Sequence, residues 1–185
     1  MGEEFKARVR AGLGNRIQSY TPRPVEELLG ERLIKSGLKV TTAESCTGGL
    51  IAARLSAIPG ASSYLDMGLV SYANAVKQQW LGVDTALLET HGVVSREVAM
   101  AMAVGAIQAS GADLSVAVTG IAGPDGGTPG KPVGTVHLAV RDRQGQTLEH
   151  RGFYVGNRDR VRWQASQTAL HLLRRMVTAQ GQEKP

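Results

Sequence analysis

A serine between a predicted strand and a predicted helix is the first candidate for chemistry in this sequence. Residues 38–40 predict the start of a buried strand, and residues 50–58 predict an apolar helix that ends at Pro59-Gly60. Residues 41–49, which include Ser45, are predicted to form the tight turn between them. The first amides of a helix lack intrahelical partners and carry partial positive charge. Ser45 could therefore be a nucleophile beside an oxyanion hole, or simply the cap of an ordinary buried helix.

The residues after Ser45 are candidate substrate-binding groups. Gly48 and Gly49 would let a ligand approach the backbone closely, and the amides from Cys46 through Thr47 to Gly49 are the expected oxyanion donors. Cys46 is also a rival nucleophile, because a thiol at a helix N-terminus has a lowered pKa. Adjacent residues that leave a strand point in different directions, so only one of Ser45 and Cys46 can face a cleft. The alternative for Cys46 is a buried and inert thiol.

A base that could activate Ser45 is predicted in the segment that follows the second strand. Lys77 lies five positions after Tyr72, with a strand end, Asn74 and the first turn of a short helix between them. This short span could bring Tyr72 and Lys77 to one pocket. A lysine acts as a base only when neutral, and burial beside a hydrogen-bonding group lowers its pKa. Tyr72 could relay a proton or orient Ser45, while a solvated surface lysine is the alternative for Lys77.

Other polar groups give weaker signals. The four histidines are expected to be structural or surface residues, and no motif with metal-ligand spacing occurs, so a metal site is not predicted. Residues 120–127 form a Gly-rich loop that lacks both the P-loop ending and the dinucleotide fingerprint. Its glycines could line a substrate pocket or only form turns. Arg158 begins a predicted helix, where a phosphate would be favoured, although an exposed arginine is the alternative.

The patterning predicts a single three-layer α/β/α domain with a mixed β-sheet over residues 21–180. An extension, 1–20, and a tail, 181–185, flank it. The predicted elements are helix 25–36, a strand from 38, helix 50–58, strand 63–72, helix 75–81 capped by Asn74, a helix from Asp84 to 91, a helix capped by Ser95 to 110, strands 113–119, 134–141 and 146–155, and helix 158–179. Ser45 would lie at the carboxyl end of the first strand, where open α/β sheets bind ligands.

Composition restricts the class of protein. The chain has 185 residues, 42% hydrophobic and 20% charged, which is typical of one soluble globular domain. The net charge of +5 suits an anionic small molecule, whereas nucleic acid is disfavoured because the arginines lack interleaved aromatic residues. No membrane-spanning run and no signal peptide occur, and the single cysteine can form no intrachain disulfide, so a cytoplasmic location is predicted.

Five blocks in chain order resemble the CinA C-terminal family, over about residues 25–177. They are Thr42-Ala-Glu-Ser-Cys-Thr-Gly-Gly49, Tyr72-Ala-Asn-Ala-Val-Lys77 with Leu81-Gly82-Val83, His91-Gly-Val-Val-Ser95, Thr119-Gly-Ile-Ala-Gly-Pro-Asp-Gly-Gly127, and Lys131-Pro-Val-Gly-Thr135. Members of the family are nicotinamide-nucleotide amidohydrolases. The resemblance implies hydrolysis of the carboxamide of nicotinamide mononucleotide to nicotinate mononucleotide and ammonia, without a metal or organic cofactor, in bacterial pyridine-nucleotide recycling.

The resemblance also implies roles for individual residues. Ser45, Tyr72 and Lys77 fall on the family's catalytic serine, tyrosine and lysine. Thr119, with Gly120 after it, and Arg158 fall on positions associated with substrate binding. Asn74, between Tyr72 and Lys77, is a further candidate substrate-binding residue. A homodimer or a higher homo-oligomer is implied as well.

The sequence departs from the family pattern or its usual context at two places, and two other functions are alternatives to the one that the resemblance implies. Asn157 replaces the usual aspartate before Arg158, and residues 11–20 resemble the connector that precedes this domain in two-domain CinA proteins. A non-catalytic module that binds a pyridine nucleotide is the main alternative function. A DNA-associated protein is a third, which would require steeply salt-dependent DNA binding.

Overall fold

The computed structural model describes residues 23–182 and four isolated helical positions before them, Glu4, Ala7, Arg8 and Ala11. The predicted extension 1–20 and tail 181–185 therefore lie largely outside the described residues. From residue 23 onward the elements follow the predicted order: α1 (Val25–Ser36), β1 (Val40–Glu44), α2 (Leu50–Ser56), β2 (Leu65–Val70), α3 (Asn74–Leu81), α4 (Thr85–His91), α5 (Arg96–Ser110), β3 (Leu114–Gly120), β4 (Thr135–Asp142), β5 (Thr147–Phe153) and α6 (Arg158–Gln182). None of the helices in this part combines the length and the apolar character needed to span a bilayer.

The sheet is mixed and has the strand order β2-β1-β3-β4-β5. Strands β2, β1 and β3 are parallel, whereas β4 and β5 are antiparallel additions. The chain leaves β1 toward β2 on one side and leaves β3 toward β4 on the other. The carboxyl ends of β1 and β3 therefore form the switch point at which open α/β sheets bind ligands.

Helices cover both faces of the sheet, and alternate strand residues belong to different cores. Val116 and Val118 pack into the core under α1, α2 and α6, whereas Ala117 packs into the core under α3, α4 and α5. Each fully buried aliphatic side chain contributes about 1.5–3 kcal/mol. The second core is lined with small residues, and an added Cβ at Gly105 of α5 would lie 1.9 Å from the Leu81 carbonyl oxygen. The predicted three-layer α/β/α domain with a mixed sheet is confirmed.

Strand β1 runs farther than predicted. Residues 41–44 were expected to belong to a turn, yet they lie in the strand and are fully buried. Their polar side chains find partners there: the Thr41 hydroxyl donates to the Met67 carbonyl at 3.0 Å, and the Thr42 hydroxyl donates to Glu44 Oε1 at 3.2 Å. Because these hydrogen bonds offset the cost of burial, polar residues can occupy a central strand.

The predicted helix start at Asp84 and the predicted cap at Ser95 are right, whereas the predicted cap at Asn74 is wrong. The Asp84 side chain accepts from an amide of α4, and Ser95 Oγ accepts from the Val98 amide of α5. Asn74 is not the cap of α3, because the helix begins at Asn74 itself and Ala73 occupies the cap position without a side-chain bond. This one-residue shift places Asn74 in the first helical turn.

Candidate active site

The structure brings Ser45 and Lys77 together at the carboxyl end of β1. Ser45 is the first residue after the strand and is 8% exposed, whereas Lys77 lies in α3 and is fully buried. Lys77 Nζ lies 3.4 Å from Ser45 Oγ. It donates hydrogen bonds to the carbonyl oxygens of Ser71 at 2.6 Å and of Tyr72 at 3.1 Å. The amine therefore has three oxygen atoms around it in a buried site.

Burial lowers the pKa of Lys77, because the charged ammonium loses its hydration. A neutral amine has two N–H groups and one lone pair. The carbonyl groups of Ser71 and Tyr72 take the two N–H groups. The third neighbour is the Ser45 hydroxyl, and in the structure Nζ donates to Ser45 Oγ. General-base activation of a serine requires the reverse bond, in which the lone pair of a neutral amine accepts the hydroxyl proton.

Backbone pairing beyond the sheet places the two carbonyl groups that hold Lys77. The Ser71 amide donates to the Glu44 carbonyl at 2.8 Å, which extends the pairing of β1 and β2 by one residue. Helix α3 then begins, and the Lys77 amide donates to the Ala73 carbonyl in its first turn at 3.2 Å. Helical side chains point toward the N-terminus, so Lys77 reaches back to the carbonyl groups that precede its own helix.

The side chain of Glu44, the last residue of β1, lies at the start of α2. Its fully buried carboxylate accepts from the Ile51 amide at 3.0 Å and from the Ala52 amide at 2.8 Å. The Leu50 amide donates to the Thr47 carbonyl at 3.3 Å. The expectation that the first helix amides stay open beside Ser45 is therefore wrong, because a carboxylate and a turn carbonyl take them.

The turn before α2 keeps open donors instead. The Gly48 amide donates to the Ser45 carbonyl at 3.0 Å. Within the described part of the chain, the amides of Cys46, Thr47 and Gly49 donate to no partner. Gly48 and Gly49 adopt positive φ angles of 61° and 89°, which a residue with a side chain rarely adopts. These glycines allow the tight path of the turn that follows Ser45 and contains the unpaired amides.

The thiol of Cys46 faces the protein core and not the cleft. The residue is 4% exposed and packs in the core under α2 and α6. Burial raises the pKa of Cys46 to about 12, so the thiol stays protonated. Of the alternatives left open by the sequence, the structure favours the inert cysteine, and only the Cys46 backbone is left to contact a substrate.

Thr47 is held by Arg162 of α6. The Arg162 guanidinium donates from Nε at 3.3 Å and from Nη2 at 3.0 Å to the Thr47 carbonyl. The Thr47 hydroxyl is buried and has no hydrogen-bond partner among the described residues. Neither Arg162 nor Glu44 was predicted from the sequence. With residues 41–44 predicted as part of a turn, nothing local indicated the role of Glu44, and Arg162 contacts a residue 115 positions away that no local pattern indicates.

Tyr72 reaches Lys77 through its backbone, while its side chain points elsewhere. The Tyr72 ring is largely exposed, and its hydroxyl accepts from Arg158 Nη2 at 2.7 Å. Among the described residues the hydroxyl bonds to neither Ser45 nor Lys77. Arg158 also donates to the Gly123 carbonyl at 2.9 Å, and the tyrosine contact raises its pKa. Arg158 therefore ties the start of α6 to the end of β2 and to the loop after β3.

The remaining predicted residues lie at the same end of the sheet. The Ser45 amide donates to the Val118 carbonyl at 3.0 Å, so Thr119 follows directly after the residue that holds Ser45. The Thr119 hydroxyl donates to the Val93 carbonyl at 2.8 Å, which leaves its oxygen only as an acceptor. Gly120 ends β3, where an added Cβ would lie 2.7 Å from a Val136 methyl group.

Two further predicted features can be placed. Asn74 is exposed in the first turn of α3, three residues before Lys77. The Asn157 side chain accepts from the Arg160 amide at 3.0 Å, so asparagine caps α6 in place of the expected aspartate. Among the described residues, no group of three or more histidine, cysteine or acidic side chains is arranged to hold a metal ion.

Known proteins are similar in sequence to this chain. A family model described as the CinA C-terminal domain matches residues 22–177. The CinA-like protein of Anaeromyxobacter dehalogenans (strain 2CP-1) is 50% identical over 170 residues, which cover 92% of this chain and 41% of that protein. The CinA-like protein of Mycobacterium tuberculosis (strain H37Rv) is 48% identical over 165 residues, which cover 89% and 38%. The chain thus spans about two fifths of the length of these curated relatives.

Solved structures share the fold described above. The competence/damage inducible protein CihA from Agrobacterium tumefaciens has a TM-score of 0.79 and 47% identity, over 86% of this chain and 99% of that chain. A competence-damaged protein (CinA) superfamily protein from Klebsiella pneumoniae has a TM-score of 0.80 and 35% identity, over 84% and 96%. With a matching family model, close relatives and a shared sheet and helix order, the chain belongs to the CinA C-terminal domain family.

Proposed function

We propose that this protein hydrolyses the carboxamide of nicotinamide mononucleotide to nicotinate mononucleotide and ammonia, with Ser45 as the nucleophile and Lys77 as the base. The observation that carries the proposal is the Ser45–Lys77 pair: a buried lysine whose two N–H groups are held by main-chain carbonyl groups and whose third neighbour is a serine hydroxyl. The resemblance to nicotinamide-nucleotide amidohydrolases supplies the substrate.

The proposed reaction proceeds by acyl transfer. Neutral Lys77 takes the proton of the Ser45 hydroxyl as Oγ bonds to the carboxamide carbon, and the carbonyl π electrons move onto oxygen. The open amides of the turn, those of Cys46, Thr47 and Gly49, donate to this oxyanion. When the carbonyl re-forms, the C–N bond breaks and Lys77 returns the proton to the leaving ammonia. Water, deprotonated by Lys77, then attacks the ester carbon. The C–Oγ bond breaks, Lys77 returns the proton to Ser45 Oγ, and nicotinate mononucleotide leaves.

Arg158 is the proposed partner of the substrate phosphate. It lies at the start of α6, where the helix dipole favours an anion, and its guanidinium is exposed at the same end of the sheet as Ser45. The net charge of +5 agrees with an anionic substrate. Because the Tyr72 hydroxyl is bonded to Arg158, we propose that Tyr72 helps by position: its carbonyl holds Lys77 and its phenol orients Arg158.

Ammonia release from nicotinamide mononucleotide by the purified chain tests the proposal. We expect Ser45→Ala to reduce kcat by about 10³-fold or more, because the variant cannot form the ester. Ser63→Ala is the matched control, since Ser63 is an exposed serine whose hydroxyl donates to the Gly60 carbonyl. A Ser45→Ala protein with full activity would refute the assignment.

The same preparation separates the alternatives. If nicotinamide mononucleotide raises the thermal midpoint of the wild type but no ammonia is released, the chain is a binding module and not an amidase. The homodimer or higher homo-oligomer implied by the resemblance stays a prediction, which light scattering of the purified chain tests.

A further inference from the structure

We infer that Glu44 is a positioning residue for the nucleophile: its carboxylate fixes the start of α2 to the end of β1 and so sets the direction of the open turn amides beside Ser45. This inference rests on the proposed function. It concerns a residue that does not touch the substrate and that acts through the turn that follows it.

The first observation is how completely the Glu44 carboxylate is held. It is fully buried and accepts three hydrogen bonds, from the Ile51 amide, the Ala52 amide and the Thr42 hydroxyl, at 3.0, 2.8 and 3.2 Å. A buried carboxylate without such donors would be strongly destabilising. The partial positive charge at the helix N-terminus adds to its stabilisation. Glu44 is therefore bound in one orientation.

The second observation is that the short turn is fixed at both ends and in the middle. At its start, the Ser45 amide donates to the Val118 carbonyl at 3.0 Å. At its end, the Glu44 carboxylate holds the first turn of α2, and Arg162 holds the Thr47 carbonyl between them. A segment of five residues held in this way has little freedom. Donors that are oriented before the reaction stabilise an oxyanion without a cost of reorganisation.

The third observation is that Glu44 connects both halves of the catalytic pair. Its carbonyl accepts from the Ser71 amide at 2.8 Å, and the Ser71 carbonyl in turn accepts from Lys77 Nζ at 2.6 Å. Its side chain holds the turn that carries the nucleophile. A substitution of the Glu44 side chain therefore separates the two effects, because the backbone bond to Ser71 remains.

Glu44 also favours serine over cysteine as the nucleophile. Open helix amides would stabilise a thiolate, but the Glu44 carboxylate takes these amides and its charge contributes, after burial, to the raised pKa of Cys46. Burial of the Cys46 thiol is the largest cause of this raised pKa, and the charge of Glu44 adds to it. Both effects leave the neutral hydroxyl of Ser45, whose activation depends on Lys77, as the reactive group.

Amide hydrogen exchange and kinetics of Glu44→Gln test the inference. The glutamine keeps the shape, but its NH₂ group cannot accept from an amide, so we expect exchange at Ile51 or Ala52 to accelerate by about tenfold or more. We expect kcat to fall by about 30- to 300-fold, near the loss seen when an oxyanion donor is removed, with KM changed less than threefold. The pH dependence of kcat keeps its midpoint, because Lys77 is untouched.

Glu26→Gln is the matched control. Glu26 of α1 also holds α2, through an ion pair of 2.8 Å with Arg54, but it does not contact the turn. Its loss should lower stability and leave kcat within threefold. Thr42→Val provides a second test if Glu44→Gln does not fold: it removes one of the three donors to the carboxylate and should reduce kcat by up to about tenfold.

The outcomes distinguish the inference from the proposed function. Unchanged exchange at both amides, unchanged kcat in a folded Glu44→Gln protein, or an equal loss of kcat in Glu26→Gln would overturn the role of Glu44. A wild type that releases no ammonia would overturn the proposed function, and with it the catalytic role of Glu44, even if exchange accelerates as expected.

Discussion

Replacement of Lys77 by methionine is the perturbation that most directly tests the proposed base. Methionine has similar length and no amine, so it fits the buried site of Lys77 in α3. The Ser45 hydroxyl would lose its amine neighbour among the described residues, Lys77 Nζ at 3.4 Å. The carbonyl groups of Ser71 and Tyr72 would lose the donor they share.

The expected loss of activity follows from the role of a positioned base. General acid–base catalysis contributes about 10²- to 10⁴-fold, which corresponds to about 3–5 kcal/mol of activation free energy. We expect Lys77→Met to reduce kcat by about 10²- to 10⁴-fold or more. The kcat of a Ser45→Ala/Lys77→Met double variant should be close to that of either single variant, because the two residues act as a unit.

The pH dependence has a definite sign. Burial lowers the pKa of Lys77 below its ordinary value of 10.5. Since the neutral amine is the active form, kcat of the wild type should rise as the pH passes through this lowered pKa and then level off. Between the lowered pKa and 10.5 the unfolded chain binds more protons than the folded protein, so the free energy of unfolding of the wild type should also rise with pH. Any stability advantage of Lys77→Met should therefore shrink as the pH approaches 10.5.

Ammonia release across the pH range and urea unfolding at neutral and alkaline pH measure these effects. Lys35→Met is the control, because Lys35 is exposed on α1, on an element that does not contribute to the catalytic pair. The reasoning would be refuted if Lys77→Met kept more than a tenth of the wild-type kcat, or if the kcat of the wild type did not rise with pH.

Three further predictions concern single residues. Cys46→Ala should keep kcat within threefold, and the native thiol should resist iodoacetamide, since burial raises its pKa to about 12; rapid labelling of the folded protein would contradict this. Gly105→Ala should lower the free energy of unfolding by about 2–3 kcal/mol in urea titrations, because its Cβ would lie 1.9 Å from the Leu81 carbonyl oxygen, and an unchanged urea midpoint would exclude the clash. Asn157→Asp should raise the free energy of unfolding by about 0.5 kcal/mol and keep kcat within twofold, because a negative charge at the start of α6 favours the helix dipole; a lower thermal midpoint would show that the cap is not improved.

Much of the fold could be predicted because its signals are local. The stripe of α1 at helical spacing is visible in the sequence. Its members Val25, Leu29 and Leu33 lie in the core, whereas Ile34 at its end is 49% exposed. The alternation of elements in chain order was also sufficient to predict a layered α/β/α domain. These signals depend on neighbours within one or two turns.

The end of β1 could not be predicted for the opposite reason. Thr41, Thr42 and Glu44 have the composition of a turn, and only their distant partners explain why they lie in a central strand. Met67 is 26 positions from Thr41, and the amides bound by Glu44 lie seven and eight positions ahead. Tertiary hydrogen bonds here override the local preference.

The residues of the candidate site also divide into those that local sequence signals indicate and those that depend on distant contacts. Lys77 and the carbonyl groups that hold it lie five and six positions apart, so the approach of this segment to one pocket was predictable. The direction of the Tyr72 hydroxyl was not, because it depends on Arg158, 86 positions away. The contact of Arg162 with the turn spans a still longer separation, and the side-chain types alone do not indicate it.

The two acceptors of the Lys77 amine belong to the main chain, so side-chain substitutions do not remove them and cannot measure their contribution. Replacing Ser71 by alanine would leave its carbonyl where it is, so a side-chain scan would report position 71 as tolerant. Only a change in the peptide link itself, such as an ester at that bond introduced by semisynthesis, would weaken the acceptor. The side chains at positions 71 and 72 can therefore vary while their carbonyl groups continue to orient the Lys77 amine.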